Sequence, residues 1–272
     1  MGERTETVFV SCSTIGGIRS GAVPELFLVD QIRTLLRVHD AGYRYVEMIY
    51  NDQPEWVGKT IVEALSELSL EPYSIHLPKF IFSYSDDEFT AFNVAAYPFI
   101  EKLGIKVAVL HPPDPSQIMN TDWSKRFDML LELSEKAHCR LTLENMPYLP
   151  NVNQFILDRI SENSSTSLGV TVDLEYMRYN RSDIGELIKM FGERLLNVHF
   201  RDGDGNLVDG EGHRRYLLPG SGDIDLLGVL RMLHRSGYNG VLTIEVSHRQ
   251  RDNIVKAKAF LEDSLRGIGV QL

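Results

Sequence analysis

Four short apolar runs in this chain end in a side chain that can hold a cation or move a proton. Leu141–Thr142–Leu143 ends in Glu144, Val170–Thr171–Val172 in Asp173, Leu196–Asn197–Val198 in His199, and Val241–Leu242–Thr243–Ile244 in Glu245. Similar runs end in Glu47, His76 and His111. A carboxylate at the end of a buried strand is expensive unless something cationic meets it. One such acid is explained by a helix cap or a salt bridge. A whole set converging on one place is not, because mutual repulsion and desolvation would destabilise the fold unless a cation were present. Three carboxylates and one imidazole make a hard, oxygen-rich donor set, which suits one divalent ion: Mn2+, Mg2+, Co2+ or Zn2+. The absence of thiolates speaks against a structural zinc site.

The elements that must position these groups follow from patterning. Short apolar runs alternate with longer amphipathic stretches, the signature of βα units in a parallel sheet. Strands are expected at Val8–Cys12, Tyr45–Ile49, Tyr73–His76 and Lys106–His111, then in the four runs above, the last covering Gly240–Val246. Helices are expected over Leu28–His39, Pro54–Leu68, Asp86–Leu103 with a kink at Pro98, and from a cap at Thr121 or Asp122 to His138. The series continues with Val152–Glu162, a helix capped by Ser182 or Asp183, Asp223–Ser236 and Asp252–Leu265. Arg201 to Ser221, rich in Gly and Asp, reads as a mobile loop. Eight strands and eight helices in strict alternation predict a closed (β/α)8 TIM barrel of one domain, residues 1–272. An open doubly wound sheet would carry a glycine-rich fingerprint after its first strand, which Gly16–Gly17 does not match.

Composition excludes several classes. The net charge of −10 tilts against nucleic acid as a partner. Cys12 and Cys139 form no ligand pattern and read as reduced thiols. No run reaches transmembrane length, so no membrane partner is expected. The N-terminal segment lacks a signal-peptide core, and Met1–Gly2 is no myristoylation start because Glu6 stands where Ser or Thr is needed. A cytoplasmic protein is the expectation.

The chain also resembles the xylose isomerase-like superfamily of barrels, which holds sugar isomerases and epimerases, inosose dehydratase-type enzymes and the endonuclease IV type of AP endonuclease. The marks are His76–Leu77–Pro78, Leu110–His111–Pro112, Leu143–Glu144–Asn145, Val172–Asp173, Val198–His199–Phe200–Arg201–Asp202, Pro219–Gly220–Ser221–Gly222–Asp223–Ile224–Asp225 and Ile244–Glu245. The resemblance implies Glu144, Asp173, His199 and Glu245 as ligands of one divalent metal ion. It further implies an isomerase or epimerase acting on a small keto-sugar or polyol-derived carbonyl compound by proton transfer through a metal-stabilised enediolate. Glu144 and Glu245 are then the catalytic pair, one removing the proton and the other returning it. A dehydratase of the inosose type and an endonuclease IV-like phosphodiesterase are the alternatives. Two departures count against the latter. Tyr176 stands where family members carry a His, and Arg214–Arg215–Tyr216 stands where endonucleases have Asp-x-His. Members of the family often associate, so a homo-oligomer is an expectation too.

Around this pair, His76, His111, Glu47 and Tyr176 are expected to bind substrate, His76 and His111 also as donors behind the ligands, with pairing to a neighbouring base as the alternative for Glu47. Arg201 and Asp202 are expected to form a local salt bridge. The Gly220–Ser221–Gly222 turn would suit a phosphate, but Asp223 beside it would repel one, so a non-phosphorylated substrate is favoured.

Overall fold

The computed structural model of the protein describes residues 8–15, 23–50, 53–248 and 252–271. Gly16, Gly17 and the Met1–Gly2 start lie outside these described residues. Eight strands pair in parallel and in chain order, and the last closes on the first. They are β1 (Phe9–Ser13), β2 (Tyr45–Ile49), β3 (Glu71–His76), β4 (Val107–Leu110), β5 (Arg140–Glu144), β6 (Leu168–Asp173), β7 (Leu195–Phe200) and β8 (Val241–Ile244). Closure leaves no free sheet edge, and both faces of each strand are covered. Every residue of β4, β6, β7 and β8 is buried.

The outer ring is α1 (Pro24–Asp40), α2 (Glu55–Glu67), α3 (Asp86–Leu103), α4 (Pro115–Asn120), α5 (Trp123–Lys136), α6 (Val152–Glu162), α7 (Leu174–Tyr179), α8 (Ile184–Phe191), α9 (Leu226–Arg235) and α10 (Asp252–Gly267). Two of these, α4 and α7, were not expected; both are six residues long and start on an acid. Asp114 caps α4 in a reciprocal box with Gln117, and Pro115 supplies the fixed φ of a first turn. Asp173 caps α7, its Oδ1 accepting from Tyr176 N at 3.0 Å. α3 keeps its expected bounds and runs unbroken through Pro98, between a Ser85–Glu88 capping box and the left-handed Gly104.

Register decides which strand-end groups share a level. β6 and β7 shift register between Val170 and Thr171, so Leu196 is passed over and Asp173 pairs with His199. Without that bulge Asp173 would stand beside Val198, which faces the other way. Gly169 makes room for it: a Cβ there would lie 2.6 Å from both the Arg194 carbonyl oxygen and Leu196. A second shift, between Val46 and Glu47, passes over Tyr73 and sets Glu47 beside Ser74.

The main hydrophobic core lies between the barrel and its helices. Inside the barrel, Val107, Val109 and Leu196 form a separate apolar cluster with Tyr73 packed on it. Above lies a polar layer. Thr142 and Thr171 share a hydrogen bond of 2.7 Å, and Thr243 donates to Asn197 Oδ1 at 2.9 Å.

The Arg201–Ser221 segment is irregular, as expected, but it is fastened. Antiparallel bridges join Asp202 to Leu217 and Val208 to Arg214. The Asp202 carboxylate accepts from four backbone amides: Gly203 and Ile224 on Oδ1, at 2.8 and 3.3 Å, and Gly220 and Gly222 on Oδ2, both at 2.9 Å. Gly222 has no alternative here, because a Cβ would fall on that carboxylate. Cys12 and Cys139 are free and buried. Among the described residues no helix is long and apolar enough to cross a membrane.

Candidate metal centre

At the C-terminal mouth the four groups from β5 to β8 meet. One ligand atom from each of Glu144, Asp173, His199 and Glu245 falls within 4.8 Å of the others. His199 sits at the middle: its Nδ1 lies 2.8 Å from Glu144 Oε1, 3.2 Å from Glu245 Oε2 and 3.8 Å from Asp173 Oδ2. Glu144, Asp173 and His199 are buried, and Glu245, just past the end of β8, is only 7% exposed.

The donor set fits a divalent cation. Asp173 spends Oδ1 on the α7 cap, while its Oδ2, like Glu245 Oε2, makes ion contacts but, among the described residues, no hydrogen bond of good geometry. Buried carboxylate oxygens in that state are costly and are the atoms a hard cation takes up. The charges support one another. Burial opposes ionisation of Glu144, but the His199 charge and donors on His111, His199 and His76 outweigh it and hold its pKa well below the usual range. Burial likewise opposes ionisation of Glu245, but Arg201 and His199 bring it down to about 2. Both carboxylates are thus ionised at neutral pH.

A second trio shares Glu144. His76, His111 and Glu144 also offer atoms within 4.8 Å of one another. His111 Nε2 stands 2.9 Å from Glu144 Oε2, and His76 Nε2 stands 3.6 Å from it. Burial lowers the pKa of His111 despite Glu144, so it is a neutral ring whose Nε2–H faces the carboxylate. The two rings meet edge to face, with centroids 4.7 Å apart.

Two expectations need correction. Glu47 does not stand at the mouth as a substrate contact: it is fully buried beneath His199, with Oε2 3.3 Å from His199 Nε2. Arg201 does not pair with Asp202, whose oxygens are taken by amides. Arg201 instead enters the cluster: Nη2 lies 2.5 Å from Asp173 Oδ2, Nη1 3.3 Å from Glu245 Oε2 and Nε 3.1 Å from Glu175 Oε2. Those carboxylates outweigh the burial cost and hold its charge firmly. At the glycine turn, the amides of Gly220 and Gly222 that would suit a phosphate donate to Asp202, and Asp223 pairs with Arg178 at 2.7 Å.

Tyr176 lies over Arg201, the guanidinium carbon 4.8 Å from the ring centroid. Tyr216 flanks the same guanidinium at 5.6 Å, and Arg214 lies 4.9 Å from the Tyr216 centroid while pairing with Glu175. Sequence reasoning missed Arg201, Arg214, Glu175 and Tyr216 as neighbours of the site. The one signal was Arg201 two residues beyond His199, on the same strand face. Of the aromatic residues near the strand ends, Trp123 packs on Phe127 and Phe155, and Trp56 is exposed on α2.

Comparison with known proteins places the fold. A D-tagatose 3-epimerase-like protein superposes with a TM-score of 0.74 over 96% of this chain and 98% of its own, at 22% identity. An L-ribulose 3-epimerase gives 0.68 over 96% of both chains at 18% identity. D-allulose 3-epimerase from Methylomonas sp. gives 0.72 over 95% and 98% at 16% identity. Among curated sequences, the uncharacterized protein MJ1311 of Methanocaldococcus jannaschii is 28% identical over 60% of this chain, and the match spans 58% of that protein. The uncharacterized protein ML2432 of Mycobacterium leprae is 23% identical over 61% of this chain and 65% of its own length. The profile of the family described as Xylose isomerase-like TIM barrel matches residues 35–264, and the chain belongs to that family.

Proposed function

We propose that this protein is a divalent-metal-dependent isomerase or epimerase of a small keto-sugar or polyol-derived carbonyl compound. The observation that carries the reading is the convergence of Glu144, Asp173, His199 and Glu245 within 4.8 Å, with buried oxygens of Asp173 and Glu245 left without a hydrogen bond. Structural neighbours named as sugar 3-epimerases share the fold and lend the reading support.

In this reading the four residues hold one Mn2+, Mg2+, Co2+ or Zn2+ ion, which when bound supplies Lewis acidity toward a carbonyl and its adjacent hydroxyl. Glu144 and Glu245, from β5 and β8, flank His199 and are both ionised, so each can accept a proton from the carbon next to the carbonyl. One removes it and the other returns it, to the opposite face for epimerisation or to the neighbouring carbon for isomerisation. His111, neutral and donating from Nε2, keeps Glu144 Oε2 directed into the site. His76 and Tyr176 stand at the rim, where a polyol hydroxyl would meet them. Arg201 holds Asp173 and Glu245 at fixed spacing. The negative net charge goes with a small-molecule substrate in preference to nucleic acid.

Solvent exchange tests this. Metal-loaded protein incubated with candidate ketoses in D2O should place deuterium on the carbon next to the carbonyl, and Glu245→Gln should abolish the labelling. Unchanged labelling in that variant removes Glu245 from the acid–base pair. The His76–His111–Glu144 trio supports one competing reading, a two-ion phosphodiesterase. That reading requires two ions per chain and cleavage of abasic DNA. Against it, Tyr176, Arg214 and Tyr216 bring an arginine and two rings, not ligands, to the remaining side of the site.

A further inference from the structure

Glu47 is a buried acid with no part in the proton transfer. It reaches His199 across the barrel, from β2 to β7, and the two residues are 152 positions apart. The His199 ring therefore meets carboxylates on both nitrogens. Nδ1 faces Glu144, Glu245 and Asp173, while Nε2 faces, among the described residues, only Glu47.

The orientation of Glu47 is fixed by its neighbours. Ser74 Oγ donates to Oε2 at 2.9 Å, and Asn197 Nδ2 does so at 3.1 Å. The Asn197 amide is held this way round because its Oδ1, if turned to the Glu47 side, would face a carboxylate oxygen; as it stands, Oδ1 accepts from Thr243 Oγ1 at 2.9 Å. Both partners of Oε2 are donors, so Oε2 accepts, and the His199 Nε2 facing it carries a proton. The β2–β3 bulge that sets Glu47 beside Ser74 is what brings the carboxylate to this level. Among the described residues, Oε1 has no hydrogen-bond partner. A half-paired buried carboxylate costs stability, and an apolar side chain of similar size would avoid that cost.

We propose that Glu47 is a positioning residue: it holds a proton of His199 on Nε2 and so leaves Nδ1, the nitrogen facing Glu144, Asp173 and Glu245, as the one on which a cation takes the place of a proton. The proposal rests on the reading of His199 as a cation ligand. An imidazole binds a cation through the nitrogen that lacks a proton, and a carboxylate behind the ring fixes which nitrogen that is and how the ring is turned.

The test uses full-length protein labelled with 15N-histidine and titrated with 113Cd2+, comparing the wild type with Glu47→Leu and Glu47→Gln. In the wild type, scalar coupling to 113Cd should appear at His199 Nδ1, with a slowly exchanging proton on Nε2. Glu47→Leu should weaken Cd2+ binding about 10- to 100-fold and speed exchange of that proton. Glu47→Gln keeps an acceptor but not the charge, so it should retain the Nε2–H form, exchange faster than the wild type and bind more tightly than the Leu variant. If Glu47→Leu does not fold, faster exchange in Glu47→Gln is the supporting result. Wild-type affinity and exchange in both variants, or coupling at Nε2, would overturn the proposal. Absence of Cd2+ binding by the wild type would overturn the ligand reading itself, and needs no variant to show it.

Discussion

Buried acids gather at two points three residues apart in the chain, Asp202 itself and the carboxylates that other strands bring around His199, and they are treated in opposite ways. Asp202 is cradled by backbone: four amides occupy its two oxygens and tie the Arg201–Asp225 segment into a closed loop. Three residues earlier, around His199, the acids are met by side chains and by one another, and oxygens of Asp173 and Glu245 remain without a hydrogen bond. Both places are buried and both are acidic. What separates them is whether the fold itself satisfies the carboxylate. An acid satisfied by backbone amides is holding structure, whereas acids met mainly by side chains and by one another, as around His199 and Arg201, fit the proposed cation site.

That contrast can be broken at either end. The largest effect is expected from Glu245→Gln, which should lower proton exchange into ketose about 10²- to 10⁴-fold while circular dichroism and thermal unfolding stay close to wild type. A large drop in melting temperature with exchange retained would make Glu245 a structural acid like Asp202. Next comes Asp202→Asn, which replaces an acceptor of two amides with a donor. It should destabilise the chain by about 2–3 kcal/mol, read by urea denaturation, and leave the affinity for Mn2+ within about threefold. Loss of Mn2+ binding in a folded Asp202→Asn protein would erase the distinction.

Smaller effects sharpen the picture. His111→Ala removes the neutral donor to Glu144 Oε2. A lost hydrogen bond to a charged group is worth about 1.5–3 kcal/mol, so kcat/KM should fall about 10- to 100-fold with one ion still bound per chain. Retention of full kcat/KM would leave His111 as a mere neighbour. Tyr176→Phe keeps the ring over Arg201 and deletes the hydroxyl. KM should rise at most about tenfold with little change in kcat, and a fall in kcat instead would move Tyr176 into the acid–base machinery.

Much of this was legible in the sequence. The alternation of runs gave the barrel, and the residue ending each run gave the four groups that meet at its mouth, because in a closed parallel barrel all strand ends face one side. What was not legible depends on register. Glu47 and Asp173 look alike as acids ending apolar runs, yet a bulge sets one beneath His199 and another sets its counterpart level with it. A one-residue shift leaves no mark in residue type, apart from Gly169, where only a glycine tolerates the approach of Arg194 and Leu196. Arg201 was misread for a related reason. Its nearest acid in sequence is Asp202, but neighbours on a strand point to opposite faces, so it joins Asp173, Glu175 and Glu245, which the two flanking strands and α7 supply, instead. α7 is hidden in the sequence because its cap, Asp173, is also the acid that ends β6; its Oδ1 caps the helix while its Oδ2 faces His199 and Arg201.

The central claim is that the β5–β8 groups hold a cation, and Mn2+ binding tests it most directly. Calorimetric titration of chelator-treated protein should show about one site per chain, lost in His199→Ala and retained in Asp202→Asn. No binding by the wild type, or undiminished binding by His199→Ala, would contradict it.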